Sequence, residues 1–160
     1  MWDGAVNHLD VQALAPLENH VEMDENLAHV LGKLKRQEKY KRLFRSAFHS
    51  ESMTGERFLK ALSQFMLTLV SSNSKYDQVM RGEAGVSFTG PESKGYALFK
   101  QHCASCHTEP LFTDHSFQNN GLALDSLLRD VGRMKITQKS TDSLKFKVPT
   151  LRNKIGRAHV

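Results

Sequence analysis

The sequence predicts a mainly α-helical protein with long loops and little strand. Three observations carry that expectation. Apolar residues recur three and four apart through much of residues 24–71, the signature of helices with one buried face. After residue 107 the text turns rich in loop formers, with Pro110, Asn119, Asn120 and Gly121. Strand signals are few, and the best of them, Phe146-Lys147-Val148, stops at Pro149.

The elements follow in order. Residues 1–23 read as irregular, because Gly4, Pro16 and Asn19 interrupt any period. Asp24 is read as a helix N-cap, followed by Leu27, Val30, Leu31 and Leu34 on one face. The pattern resumes at Tyr40, Leu43, Phe44, Ala47 and Phe48. Lys33, Lys35, Arg36, Lys39, Lys41, Arg42 and Arg45 lie between these positions. They read first as a solvated basic face, and second as a docking face for an acidic electron-transfer partner. Thr54 is read as the cap of the strongest amphipathic helix, residues 55–71, with Phe58, Leu62, Phe65, Met66 and Leu69 as its buried stripe. Ser71-Ser72-Asn73-Ser74 is loop-like, and Tyr76–Arg81 a short helix. Gly82 to Pro91 is the best internal boundary. A helix over 93–102 runs into the only cysteines, and Leu124–Arg129 reads as a further short helix.

Composition narrows the classes. Of 160 residues, 39% are hydrophobic and 24% charged, which excludes a disordered tail and a membrane protein. The run Phe65–Val70 is far short of the roughly 20 apolar residues of a membrane span. Two cysteines exclude a disulfide scaffold and a four-cysteine zinc site. A net charge of +5 suits an acidic partner or simply good solubility. Nucleic acid is not expected, since only the 33–45 charge run favours it, and it lacks interleaved surface aromatics and any recognised nucleic-acid motif.

The chemistry sits at Cys103-Ala104-Ser105-Cys106-His107. This is a C-x-x-C-H sequence, the attachment signature of c-type haem. Two thiols three residues apart can add to the two haem vinyl groups, and the adjacent imidazole then lies under the iron as proximal ligand. A zinc site would need a fourth ligand from His102, His115 or His49, and no second ligand pair is spaced for one. A thioredoxin-like pair would want a βαβ context. Tyr96, Leu98, Phe99, Leu111, Phe112 and Phe117 read as walls of a haem pocket. Candidates for a second axial ligand are His102, His115, Met134, Met66 and Met53, with Met134 carried forward.

Several strings together resemble a family. They are Gly95-Tyr96-Ala97-Leu98-Phe99, the haem motif, Phe112-Thr113-Asp114, Phe117-Gln118-Asn119-Asn120-Gly121, Val131-Gly132-Arg133, and Phe146-Lys147-Val148-Pro149-Thr150-Leu151-Arg152-Asn153. Trp2-Asp3-Gly4, Gln12-Ala13-Leu14, Pro16-Leu17-Glu18-Asn19 and Val21-Glu22-Met23 belong to the same set. The order and spacing resemble bacterial di-haem cytochrome c peroxidases, over residues 2–153. The methylamine-utilisation maturation enzymes share this framework. His20 and Ala5 depart from the family, which often has proline and arginine there.

The resemblance implies cytochrome c-like haem domains, peroxide reduction at a first haem, and electron entry through a second, here the one at His107. It implies Trp2 as the aromatic between the haems. Gln12 and Glu22 are implied as the polar pair over the peroxidatic iron, Glu22 moving protons between the peroxide oxygens. The bland alternative for Glu22 is an acid ahead of a helix. The implied division is 1–23 as the tail of the first haem domain, 24–90 as a shared helical part and 91–153 as the second haem domain. Residues 154–160 are expected to be a non-native tail, since Ile155–Val160 matches a translated sequencing adapter. Met1 is expected to be internal to a longer protein that carries the first haem motif.

The expected function is therefore a periplasmic di-haem peroxidase, present as a fragment not competent alone. It would use hydrogen peroxide and a small electron donor, a cytochrome c or a cupredoxin. Haem c is the expected cofactor, one in this chain and two in the full protein, with calcium as a further ion there and a homodimer as an allowed assembly. The alternatives are a mono-haem c-type electron-transfer protein and a maturation-type di-haem oxidase. Periplasmic location follows from thioether attachment, which takes place outside the bacterial inner membrane.

Overall fold

The computed structural model describes residues 2–153; the tail expected to be non-native and Met1 lie outside the described residues. The fold is mainly helical, with one two-stranded sheet among the described residues. Two compact units are present. One is Val6–Val70, and the other joins residues 2–5 to 71–153.

The first unit is a set of five helices. α1 (Leu9–Gln12) and α2 (Leu14–Glu18) occupy a stretch expected to be irregular. His8 caps α1, its Nδ1 accepting from Asp10 N at 3.3 Å. Pro16 falls within the first turn of α2, where a backbone N–H has no helical partner to lose. α3 (Leu27–Lys35) is capped by Asn26, not Asp24. The Asn26 side chain accepts from His29 N at 2.8 Å, whereas Asp24 is left-handed (φ 47°) and its N–H closes on Asn19 O. α4 (Glu38–Phe48) buries Phe44 against Phe48, ring centres 5.4 Å apart. Of the basic run on α3 and α4, Lys33, Lys41 and Arg45 pair with Glu25, Glu38 and Glu51.

α5 (Gly55–Thr68) starts at Thr54, whose hydroxyl accepts from Arg57 N, as the sequence predicts. Its buried face differs from the expected stripe. Leu59 and Ser63 are buried, while Phe65 is 61% and Leu69 66% exposed. Neighbours decide this. The Ser63 hydroxyl donates to Asp10 of α1 at 2.5 Å, and at Gly55 a Cβ would stand 2.9 Å from Leu27 of α3. With Leu17 and Met53 these residues make the core.

The second unit has less regular structure. α6 (Lys75–Met80) opens with a Ser74–Asp77 capping box. α7 (Gly90–His102) opens with a Thr89–Glu92 capping box and Pro91. The short strands β1 (Phe117–Gln118) and β2 (Phe146–Lys147) pair antiparallel, Phe117 opposite Lys147. The expected strand is thus β2; its partner carried no alternation long enough to read. α8 (Met134–Thr137) and a 3-10 turn at Ser140–Asp142 precede β2. Leu124–Arg129 is a turn, not a helix. Asp125 Oδ1 accepts from Leu127 N and Leu128 N, which competes with helical bonding. No described helix is long and apolar enough to cross a membrane.

Candidate haem-binding site

α7 delivers the motif. The helix ends at Cys103, whose N–H donates to Phe99 O at 2.8 Å. The chain then folds into a tight turn, with Cys106 N and His107 N both donating to Cys103 O, at 3.2 and 2.9 Å. One turn therefore carries both thiols and the imidazole. Both cysteines are free; Cys103 is exposed and Cys106 half-buried. His107 Nδ1 lies 3.0 Å from the Phe112 carbonyl. With its proton there the ring donates to Phe112 O, and Nε2 keeps its lone pair for a metal. Asp114 N donates to Cys106 O at 2.9 Å and closes the loop behind the ring.

Two free thiols and an oriented imidazole fit a covalently attached haem. Among the described residues no three His, Cys, Asp or Glu side chains gather to hold a bare metal ion.

The expected pocket walls divide. Tyr96, Phe99 and Phe112 join one ring cluster with Tyr76 and Phe88. Tyr76 meets Phe112 edge-on at 4.8 Å, and Phe99 meets Phe112 at 5.3 Å. Leu98 and Leu111 are 57% and 53% exposed. Phe117 lies on β1 beneath Arg133, with the guanidinium 3.8 Å from the ring centre.

A polar network braces the cluster. Glu109 accepts from the Tyr76 and Tyr96 hydroxyls, both at 2.7 Å, and from Lys100 at 2.6 Å. Burial alone would raise the Glu109 pKa, but Lys100 and the two phenols hold it below its ordinary value. Burial, reinforced by Glu109, pushes the Tyr76 phenol up. Arg152 makes a two-pronged pair with Asp77, at 2.7 and 2.9 Å. It also donates to Ser71 O and Pro110 O, both at 2.8 Å. Arg152, helped by Ser74, holds the Asp77 carboxyl well below the usual carboxylate range. Glu109 escaped the sequence reading, and Tyr76 and Asp77 entered it only as part of a short helix. Arg152 entered it only as one letter of a string. The Asp77–Arg152 pair joins residues 75 apart, which no local pattern marks.

The remaining candidates are placed as follows. Trp2 is 58% exposed, and its carbonyl accepts from Lys147 N at 2.7 Å. It lines a cleft of about 230 Å³ with Thr113, His115, Val148 and Thr150. Buried Thr113 donates to Val148 O at 2.6 Å and follows the Phe112 whose carbonyl meets His107. Met134 is half-buried at the start of α8. Met53 and Met66 lie in the 6–70 unit, as do Gln12 and Glu22. Gln12 ends α1 and is half-buried. Glu22 is exposed in the turn after Asn19, its N–H donating to Asn19 O. Glu22 lies ahead of the Asn26 cap, outside the first turn of α3.

The sequence is similar to proteins of known type along most of its length. The family model described as di-haem cytochrome c peroxidase matches residues 1–85. A methylamine utilization protein MauG from Methylorubrum extorquens is 38% identical over 158 residues, covering 95% of this chain and 43% of that protein. The cytochrome c peroxidase Ccp of Escherichia coli is 33% identical, covering 95% and 34%. The cytochrome c551 peroxidase of Nitrosomonas europaea is 34% identical, covering 95% and 46%. A crystal structure of a MauG-like protein associated with microbial copper homeostasis matches with a TM-score of 0.78 at 27% identity, covering 96% of this chain and 53% of that one. The chain spans less than half the length of these curated relatives. With more than half its residues matched by the family model, the chain belongs to the di-haem cytochrome c peroxidase family.

Proposed function

We propose that this chain carries the electron-receiving haem of a periplasmic di-haem peroxidase, which reduces hydrogen peroxide to water with electrons from a small cytochrome c or cupredoxin. The observation that carries this reading is the single turn bearing two free thiols and His107, its Nδ1 engaged by Phe112 O. Cys103 and Cys106 would hold the porphyrin by thioethers, and His107 Nε2 would take the iron. The haem, when bound, supplies reversible one-electron storage. The protein's part is to orient and to shield. Phe112 O sets the imidazole plane, and the Tyr76–Tyr96–Phe99–Phe112 rings exclude water beside it. Met134 is the half-buried thioether in the same unit as His107, which supports it as a second, soft donor that would hold the iron.

Gln12 and Glu22 would serve the peroxide at the family's first haem. Gln12 would hold it by hydrogen bonds. Glu22, exposed in the turn after Asn19, would take a proton from one peroxide oxygen and return it to the other. Trp2 would lie on the electron path between haems. Calcium and a homodimer belong to the same proposal for the whole protein.

Turnover with peroxide and a reduced cytochrome c tests the reading in the full protein. Glu22→Gln should lower it about 10²–10⁴-fold. Unchanged turnover would remove Glu22 from the chemistry. A maturation-type oxidase is the second reading, favoured by the 38% identity to a MauG protein. Peroxide-dependent oxidation of a protein substrate, without cytochrome c turnover, would select it.

A further inference from the structure

We propose that Arg152 is a positioning residue for the His107 imidazole. It clamps the loop at residues 110–113 so that the Phe112 carbonyl stays on Nδ1, and it thereby lowers the reduction potential of the haem. This rests on the reading of His107 as the ligand of the iron.

Phe112 is the strained link. Its carbonyl oxygen lies 3.0 Å from His107 Nδ1. Its φ is +56°, in the left-handed region that a residue with a Cβ seldom adopts. Such a conformation persists only where its surroundings over-determine it. Relaxation to negative φ would turn the carbonyl away from the ring.

Alternate residues of one segment supply that hold. Val148 O accepts from Thr113 Oγ1 at 2.6 Å. Thr150 Oγ1 donates to Leu111 O at 2.5 Å. Arg152 Nε donates to Pro110 O at 2.8 Å. The residues on both sides of Phe112 are therefore tied to 148–152. Arg152 also reaches the strained residue itself, its guanidinium carbon 5.4 Å from the centre of the Phe112 ring. The guanidinium is fixed in turn, through Nη1 and Nη2 on Asp77 at 2.9 and 2.7 Å. One planar fork thus holds the loop backbone, the ring and the Asp77 anchor together. A lysine has neither the plane nor the donors to do all three.

The consequence has a sign. A hydrogen bond from Nδ1 to a carbonyl makes Nε2 more basic. A more basic ligand favours ferric over ferrous iron and lowers the potential. Releasing the clamp should raise it. Two other effects of losing Arg152 run the opposite way. Ferric haem carries one more positive charge than ferrous haem, so removing a nearby cation favours the ferric state. Water entering a loosened pocket favours it too. A rise in potential therefore separates positioning from charge loss and from loosening.

Optical redox titration of the full haem-loaded protein reads this. The wave of the His107 haem is the one that disappears when Cys103→Ala and Cys106→Ala are combined. Arg152→Ala should shift that wave to higher potential. Arg152→Lys keeps the charge but not the fork, and should shift it the same way. Thr89→Ala removes the cap of α7 without touching the 110–113 loop, and should leave the wave in place. A wave that is unmoved or lowered in Arg152→Ala overturns the clamp, as does an equal rise in Thr89→Ala. A parent potential in Arg152→Lys overturns the role of the guanidinium, and that variant decides alone if Arg152→Ala yields no folded haem protein. If the double cysteine variant loses no wave, the haem reading itself fails and the clamp falls with it. A wave lost there but unmoved in Arg152→Ala leaves the haem reading standing and overturns the clamp alone.

Discussion

The 6–70 unit and the 71–153 unit are held together by different forces. In the first, helices bury Leu17, Phe44, Met53 and Leu59. In the second, Val148 is the only buried apolar side chain among the described residues, beside buried Asp77 and Thr113. Its order comes from polar clamps: Arg152 on Asp77, three donors on Glu109, and Thr113 on Val148 O. Apolar burial is tolerant of shape and largely additive over area. Polar clamps are directional, and each depends on a named partner. The unit that carries the motif is the one built to hold particular atoms in particular places.

The comparison breaks most visibly at the cysteines. Cys103→Ala with Cys106→Ala should abolish covalent haem entirely, seen as loss of haem stain on a denaturing gel after expression with a cytochrome c maturation system. It should also loosen the 71–153 unit, because a group bound only by the folded state stabilises that state. The 6–70 helices should keep their hydrogen-exchange protection. Retained stain would sink the assignment of the motif.

Phe44→Ala makes the converse cut. Removing a buried ring costs about 3–5 kcal/mol, and Phe44 is 7% exposed in the helical core. Chemical denaturation followed by helical signal should show the loss, with haem attachment retained.

A smaller and more local effect is expected from Arg152→Ala. It leaves Asp77 buried without its cation, and it removes the cover over Tyr76 and Phe112. The thermal midpoint read at the haem band should fall, and Arg152→Lys should recover only part of it, since one ammonium cannot make the two-pronged contact. Equal midpoints for parent and Arg152→Ala would contradict the polar-clamp account.

The smallest effect concerns acid. Glu92 is drawn from 4.5 down to about 2, first by Lys75 and then by the Thr89 N–H and hydroxyl. Its folded value lies below its unfolded one. Its stabilisation is therefore full above pH 4.5 and is lost as pH falls towards 2. Glu92→Gln should flatten the pH dependence of stability in that window and lower neutral stability by the small amount that the parent loses across it. An unaltered slope would show that the Thr89–Glu92 box contributes nothing to it.

Sequence alone determined what is encoded within a few residues. The C-x-x-C-H triad was legible because its three groups are brought together by one turn. Thr54 was legible as a cap because its partner N–H is three residues on. The same kind of signal, Thr89 with Glu92, was present and would have started α7 at Gly90 instead of Ser93. Tertiary structure decided the rest. Periodicity marks that a helix has an apolar side, but α1 and α3 chose Leu59 and Ser63 over Phe65 and Leu69. Phe117 read as a pocket wall, and only the fold sets the Arg133 guanidinium over its ring. Asp77 and Arg152, 75 residues apart, carry no trace of one another in the text. Each is an ordinary surface-type residue by composition. Only the closing of the chain buries Asp77 and brings Arg152 onto it, and a buried charge persists only where the fold also delivers its counterion.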